Sequence, residues 1–122
     1  MSALPPKVDV LGTGISATSV DETVELILNP PPDGLRVAIC AVHGVMTARR
    51  DPALRAALAS VDVATSDGVP LVWALRLSGV PDQQRVYGNT VFRDTIERGI
   101  AKGTSHFFYG STPETLGRLV TT

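Results

Sequence analysis

The sequence has little cysteine, no excess of charge of either sign and no long apolar run. Its one cysteine, Cys40, cannot form an internal disulfide, which favours a reducing cytoplasm. Eleven basic residues against twelve acidic ones give a net charge of −1, so electrostatics provide no basis for binding nucleic acid. No segment approaches the run of roughly 20 apolar residues that spans a bilayer, and the N-terminus does not resemble a signal peptide. Any contact with a membrane must therefore be peripheral.

Histidine is also scarce. Neither His43 nor His106 has a cysteine or an acidic residue at ligand spacing, so we expect no metal and no cofactor. An apolar fraction of 43% is typical of a globular protein, and 122 residues suit one domain spanning 1–122. Trp73 and Met46 fall within predicted helices and are expected in the core.

Apolar runs alternate with helix-start signals along the chain. The runs predicted to be strands are Val8–Leu11, Leu35–Ala41, Val61–Thr65 and His106–Tyr109, with Phe107 and Phe108 buried in the last one. Ser19 opens a capping box, Asp51 with Pro52 begins another helix, and Gly79 ends a third. This alternation predicts an α/β fold, with a mostly parallel, Rossmann-like layered sheet and helices on both faces.

The C-terminal end falls inside a predicted helix that begins near Thr112. A doubly wound domain would normally return to the sheet with another strand after such a helix. We therefore expect the domain to be incomplete at its C-terminus.

The segment from Gly12 to Ala17 matches the G-x-G-x-x-[GA] fingerprint of dinucleotide-binding proteins. That motif needs its glycines to open a helix, whereas the helix signal here comes later, at Ser19. It also needs an acidic residue at the end of the second strand, which here ends in Cys40 and Ala41. An NAD-dependent oxidoreductase is therefore a minor alternative.

The pair Asp67 and Gly68 follows directly after the strand Val61–Thr65. Ligands of parallel α/β sheets bind beyond the carboxyl ends of the strands, and a carboxylate there can act as a general base. The equally plausible alternative is that Asp67 caps the helix that follows.

Other polar or glycine positions lie at comparable points in the chain. His43 follows the second predicted strand, and Arg85 precedes Gly88 and Asn89, where Asn89 is predicted to cap a helix. Gly110 and Ser111 lie between the last strand and the last helix, where exposed amides could hold an anion. Because His43, Asp67 and Gly110 each follow a different strand, we expect them to meet at one edge of the sheet. That arrangement favours a phosphorylated or nucleotide-linked ligand.

Four segments in this order resemble the WecG/TagA/CpsF glycosyltransferases: VDVLGTGISATSVDETVELI, then VHGVMTARRDPALRAALASVDVATSDGVPLVWALRLSG, then RVYGN, and finally HFFYGSTPETLGRL. The resemblance implies an inverting, metal-independent transfer of an N-acetylhexosamine, as in the UDP-N-acetylmannosamine transferases. The donor would be a UDP-sugar. The acceptor would be a polyprenyl-diphosphate-linked sugar or another precursor of teichoic acid, exopolysaccharide or capsule.

The resemblance assigns the catalytic base to Asp67. It assigns substrate binding to Arg85, Gly110 and Ser111, while His43, Gly68, Gly88 and Asn89 are candidates for substrate binding from their positions in the sequence. Two motifs depart from the family pattern: Ile39 and Ala41 stand where many members have Thr-x-Asn, and the family's G-x-D becomes Gly88-Asn89-Thr90. A catalytically silent remnant or binding module is therefore a second alternative. The resemblance further implies a cytoplasmic protein that meets the inner face of the membrane in a full-length form, and an exposed sheet edge favours a homo-oligomer.

Overall fold

The computed structural model describes residues 4–121, which form short strands and six helices. In chain order the elements are β1 (Lys7–Val10), β2 (Thr13–Ser16), α1 (Val20–Leu28), β3 (Val37–Cys40), α2 (Val42–Arg50), α3 (Pro52–Ser60), β4 (Val63–Ser66), α4 (Val69–Leu77), α5 (Gly88–Ile100) and α6 (Pro113–Thr121). The predicted α/β class is confirmed.

The first two strands form an antiparallel hairpin. Val10 pairs with Thr13, which leaves Leu11 and Gly12 as a two-residue turn. Both turn residues have positive φ, 52° and 91°, as the tight turns that suit the twist of a hairpin require. The glycine-rich segment therefore leads back along β1 instead of opening a helix.

The other two strands form a parallel pair, in which Val37 lies opposite Val63 and Cys40 opposite Ser66. The hairpin contacts this pair through Ser16, whose hydroxyl accepts a hydrogen bond from the backbone N–H of Ala64 at 2.9 Å. All four residues of β4 are buried, as expected for a strand with neighbours on both sides. Because the described strands belong to two separate small sheets, the continuous parallel layer stays a prediction.

Two apolar clusters hold the helices against these strands. The larger one joins α2 and α4 to the strands and is made of Val10, Ile15, Cys40, Val45, Ala64, Leu71 and Leu75. The smaller one joins α1 to α5 through Val24, Val86 and Val91. Arg98 on α5 strengthens that second contact with ion pairs to Asp21 and Glu25 on α1.

The predicted helix ends are mostly confirmed. Ser19 accepts a hydrogen bond from the N–H of Glu22 at 3.1 Å, and Asp51 accepts from the first amides of α3. Gly79 has φ 107°, and the N–H of Val80 donates to Leu75 O at 3.0 Å, which closes the end of α4 as a Schellman motif. Asn89, by contrast, is not a cap, because α5 begins one residue earlier, with Tyr87 at the N-cap.

Four predictions about apolar residues are wrong. The segment His106–Tyr109 forms no strand ladder, and the side chain of Phe107 is 89% exposed. Only Phe108 of that segment is partly buried, because its ring packs against Phe92 with centroids 5.9 Å apart. Trp73 and Met46 are exposed on helix surfaces, since the core side of each helix is occupied by smaller aliphatic residues.

Candidate functional site

Asp67 lies at the carboxyl end of β4, where the chain leaves the sheet for α4. Its backbone N–H donates to the carbonyl oxygen of Cys40 at 2.8 Å, which continues the pairing with β3 by one residue. The side chain is 19% exposed and points away from the buried strand. The strand pair therefore fixes where this carboxylate leaves the sheet.

The carboxylate of Asp67 has two donors from a segment about twenty residues later. Oδ1 accepts a hydrogen bond from Nε of Arg85 at 3.1 Å and forms an ion pair with Nη2 of the same side chain at 3.0 Å. Oδ2 accepts from the backbone N–H of Gly88 at 3.1 Å. Hydrogen bonds to an ionised group are stronger than neutral ones, so both contacts orient the carboxylate.

Gly88 is the first residue of α5, which places the carboxylate at the positive end of that helix. A Cβ at this position would lie 3.2 Å from Oδ2 of Asp67 and 3.1 Å from Cγ2 of Ile39. Glycine therefore allows the start of α5 to approach both side chains closely, and a Cβ would require at least one of them to shift.

Asp67 does not cap α4. The N-cap of that helix is Gly68, and no side chain caps it. Gly68 has an extended φ of 169°, and a Cβ there would be 3.9 Å from Cα of Ala41, so its backbone passes close to the start of α2. The capping alternative for Asp67 is therefore wrong, and its carboxylate instead holds the start of α5.

Arg85 is the more exposed partner in this group. Its side chain is 48% exposed, and its guanidinium carbon lies 4.5 Å from the ring centroid of Tyr87. Asn89 lies in the first turn of α5 and donates from Nδ2 to the hydroxyl of Tyr87 at 2.9 Å. The structure thus brings Asp67, Arg85 and Gly88 into direct contact, with Asn89 alongside.

The other predicted site residues lie apart from this group. His43 is exposed near the start of α2 and lines a surface hollow with Met46, Thr47, Arg50 and Asp51. Gly110 and Ser111 form an exposed turn before α6, with φ of 123° and 56°. Within residues 4–121, no hydrogen bond or ion pair joins any of these three to Asp67, so a shared site stays a prediction.

A cavity of about 320 Å³ opens on the other side of Gly88. Its lining is largely apolar and consists of Ile27, Val37, Ile39, Gly88, Val91, Phe92, Thr95, Ile96, His106 and Phe108. Ile39 and Gly88 belong both to this lining and to the surroundings of Asp67. A group bound in the cavity would therefore lie beside the carboxylate.

Sequence reasoning missed the residue that anchors this site, Gln83. Its side chain is buried, and its amide nitrogen donates to the carbonyl oxygens of Thr18 and Gln84 and to the hydroxyl of Ser66. A glutamine in a loop after Pro81 gives no sequence signal of burial. Its burial depends on contacts with Thr18, 65 positions away, and with Ser66, 17 positions away.

Three further observations concern dinucleotide, metal and membrane binding. The segment from Gly12 to Ala17 forms the turn and second strand of the hairpin, so its amides do not open a helix as a dinucleotide site requires. Across residues 4–121, no three His, Cys, Asp or Glu side chains are grouped so that they could hold a metal ion. No helix in that range is long and apolar enough to cross a membrane.

Comparison with known proteins places nearly the whole chain in one family. A search of curated proteins finds no match. Residues 8–122 match the model of the glycosyl transferase WecG/TagA/CpsF family. The matched range includes the hairpin, the parallel strand pair and the contact between Asp67, Arg85 and Gly88. The chain therefore belongs to the WecG/TagA/CpsF family of glycosyltransferases, enzymes of cell-surface polysaccharide biosynthesis.

Proposed function

We propose that this glycosyltransferase moves an N-acetylhexosamine from a UDP-sugar to a polyprenyl-diphosphate-linked sugar with inversion, and that Asp67 is the general base. The position of Asp67 carries the proposal. Its carboxylate lies at a strand's carboxyl end and is oriented by Gly88, and it has no role in capping α4. Fixed orientation is what a base needs in order to meet a hydroxyl at hydrogen-bond distance.

In the proposed reaction, an acceptor hydroxyl attacks the anomeric carbon of the sugar. Its oxygen forms the new bond to carbon, its proton passes to the Asp67 carboxylate, and the bond from carbon to the diphosphate oxygen breaks. UDP leaves with the bonding electrons. A single displacement of this kind inverts the configuration at the anomeric carbon.

Arg85 is proposed to bind the diphosphate of the donor. In the free chain its guanidinium pairs with Oδ1 of Asp67, but the side chain is half exposed and can turn toward a bound ligand. An arginine that moves to the diphosphate frees Oδ1 to accept a proton, while Gly88 still holds Oδ2. We include Gly68, Asn89, His43, Gly110 and Ser111 in the proposed substrate-binding surface, since amides near helix starts suit phosphate oxygens.

The test is the change Asp67→Asn, which keeps the shape of the side chain and removes the base. Transfer from a UDP-N-acetylhexosamine to a lipid-linked acceptor should fall by about 10²–10⁴-fold. Binding of UDP, measured by calorimetry, should change little. Arg85→Ala should weaken UDP binding as well as the rate. Asp82→Asn, in the exposed loop after α4, is the matched control and should leave both unchanged.

If Asp67→Asn transferred sugar as fast as the unmodified protein, this carboxylate would only anchor α5, and the proposed mechanism would be wrong. A parent protein that binds no UDP and transfers no sugar would instead favour a silent binding module.

We also propose that the chain self-associates and works at the cytoplasmic face of the membrane, where a lipid-linked acceptor would lie. The side chains of Phe107 and Tyr109 are almost fully exposed, and burying large aromatic side chains of this kind would favour an association. Light scattering should give a mass above that of one chain, and Phe107→Ser should lower it. A parent that stays monomeric at high concentration would contradict self-association.

A further inference from the structure

Gln83 connects three parts of the chain that meet beneath Asp67. It lies in the loop between α4 and α5 and is 4% exposed. Its amide nitrogen is 2.8 Å from the carbonyl oxygen of Thr18, which follows β2, and 3.1 Å from Oγ of Ser66, the last residue of β4. The carbonyl oxygen of Gln83 accepts from Nε of Arg76 on α4 at 2.8 Å.

The orientation of the Gln83 amide follows from its neighbours. The carbonyl oxygens of Thr18 and Gln84 both lie 2.8 Å from the same side-chain atom, and carbonyl oxygens can only accept hydrogen bonds. That atom must therefore be the NH₂ nitrogen. Its two hydrogens are directed at the two carbonyls, and one of them is shared with Ser66.

The contacts of Gln83 continue into both halves of the candidate site. Ser66, which receives the amide, directly precedes Asp67, and the carbonyl oxygen of Ser66 accepts from the N–H of Val86 at 2.9 Å. Gln83 also begins the segment that carries Arg85 and Gly88, the two donors to the Asp67 carboxylate. One buried side chain thus ties the residue before the carboxylate to the segment that orients it.

We propose that Gln83 is a positioning residue for Asp67, an inference that rests on the proposed role of Asp67 as the base. It acts by holding the segment 83–88 against the end of β4, so that the N–H of Gly88 and the guanidinium of Arg85 reach the carboxylate. It touches neither substrate in this assignment.

The first test follows the Gly88 amide and needs no catalysis. Gln83→Met keeps the length of the side chain but removes both donors. Hydrogen exchange at the N–H groups of Gly88 and Val86, followed by NMR, should become roughly tenfold faster or more as the segment loosens. The N–H of Ala64, bonded to Ser16 inside the sheet, should keep its rate. Gln84→Met makes the same change at the exposed neighbour and should leave all three amides unchanged.

The second test separates positioning from general destabilisation. Gln83→Met should lower kcat by about tenfold in the parent, as expected when a reacting group is displaced by a fraction of an ångström. In an Asp67→Asn background it should cause no further loss, because the group that it positions is already gone. Val45→Ala, a core change away from the site, should have the same effect in both backgrounds.

If Gln83→Met does not fold, Ser66→Ala tests the inference instead, because it removes only the hydrogen bond between Gln83 and the residue before Asp67. It should accelerate Gly88 exchange and lower kcat a few-fold, again only while Asp67 is present. Unchanged Gly88 exchange in every folded variant would overturn the inference, as would equal losses of kcat with and without Asp67. Full activity of Asp67→Asn would refute the proposed function alone, because the exchange result does not depend on turnover.

Discussion

Replacing Gly88 by alanine sets a favourable local effect against an unfavourable contact. Gly88 begins α5 with a φ outside the left-handed region, so alanine fits its backbone. Helix propensity alone would stabilise the protein by up to about 1 kcal/mol, and less at a helix end than in its interior. The new Cβ, however, would lie 3.1 Å from Cγ2 of Ile39 and 3.2 Å from Oδ2 of Asp67.

The two contacts differ in how easily they can relax. Ile39 is 44% exposed, so its methyl group can rotate away at small cost. Oδ2 of Asp67 is held by the Gly88 N–H itself, and moving it away from the Cβ lengthens that bond. Hydrogen bonds to charged groups contribute about 1.5–3 kcal/mol, and overpacking typically costs 1–3 kcal/mol. The cost of the contact between the new Cβ and Oδ2 exceeds the gain in helix propensity. We therefore expect Gly88→Ala to lower the free energy of unfolding by about 1–2 kcal/mol.

Gly44→Ala is the matched control, because Gly44 lies in the first turn of α2 and a Cβ there would meet nothing within 4 Å. It should stabilise the protein by roughly 0.5 kcal/mol. Urea unfolding should therefore separate the two variants by about 2 kcal/mol, and melting temperatures by roughly 5–10 °C. Transfer should fall about tenfold in Gly88→Ala only, since 1.4 kcal/mol at the carboxylate is a factor of ten in rate. A Gly88→Ala protein as stable and active as Gly44→Ala would refute this reasoning.

Two further changes test the fold. Asp51→Ala removes the side chain that accepts from the N–H groups of Ala53 and Leu54, so urea unfolding should show a loss of about 1 kcal/mol, whereas an unchanged midpoint would mean that water replaces the cap. Burial raises the pKa of the Cys40 thiol, an effect that the charge of Lys7 partly offsets. Above about pH 8.5 the unfolded chain loses this proton before the folded one, so stability should fall by up to about 1.4 kcal/mol per pH unit relative to Cys40→Ala. If the free energies of unfolding of the parent and of Cys40→Ala changed equally between pH 8 and 10, this prediction would be contradicted.

The helices could be predicted because their end signals are local. The Ser19 hydroxyl and the Asp51 carboxylate each satisfy amides two or three residues away. Gly79 ends α4 within one turn of the bonds that it closes. Signals of this range need no knowledge of tertiary structure.

The strands were harder to predict than the helices, because whether a segment forms a strand depends on the segment that pairs with it. Leu11 adopts a positive φ that its residue type does not favour, so the hairpin turn has no sequence signature. The aromatic run at 106–109 predicts burial from composition, yet only Phe108 of this run is partly buried, with its ring against Phe92 on α5.

The individual residues of the site could be predicted from the sequence, but the contacts between them could not. Asp67, Arg85 and Gly88 each stood out from motif and position, whereas their mutual bonds span 18 and 21 positions. The alternative in which Asp67 caps α4 is wrong, because Gly68 is the N-cap residue of that helix. The carboxylate of Asp67 instead contacts the start of α5. Gln83 gave no signal, because its burial depends on Thr18 and Ser66.

The unequal attachment of the two Asp67 oxygens makes the site suitable for a base that is switched on by its substrate. Oδ2 is held by a backbone N–H that cannot leave while α5 is formed. Oδ1 is held by Arg85, a half-exposed side chain that can exchange a carboxylate for a diphosphate. Without a donor, the guanidinium neutralises the carboxylate and occupies its accepting oxygen. If Arg85 moves to the diphosphate of a bound donor, as proposed, that movement would expose Oδ1, while Gly88 would preserve the direction of the carboxyl group. Binding of the donor and activation of the base would then be coupled through the single guanidinium of Arg85.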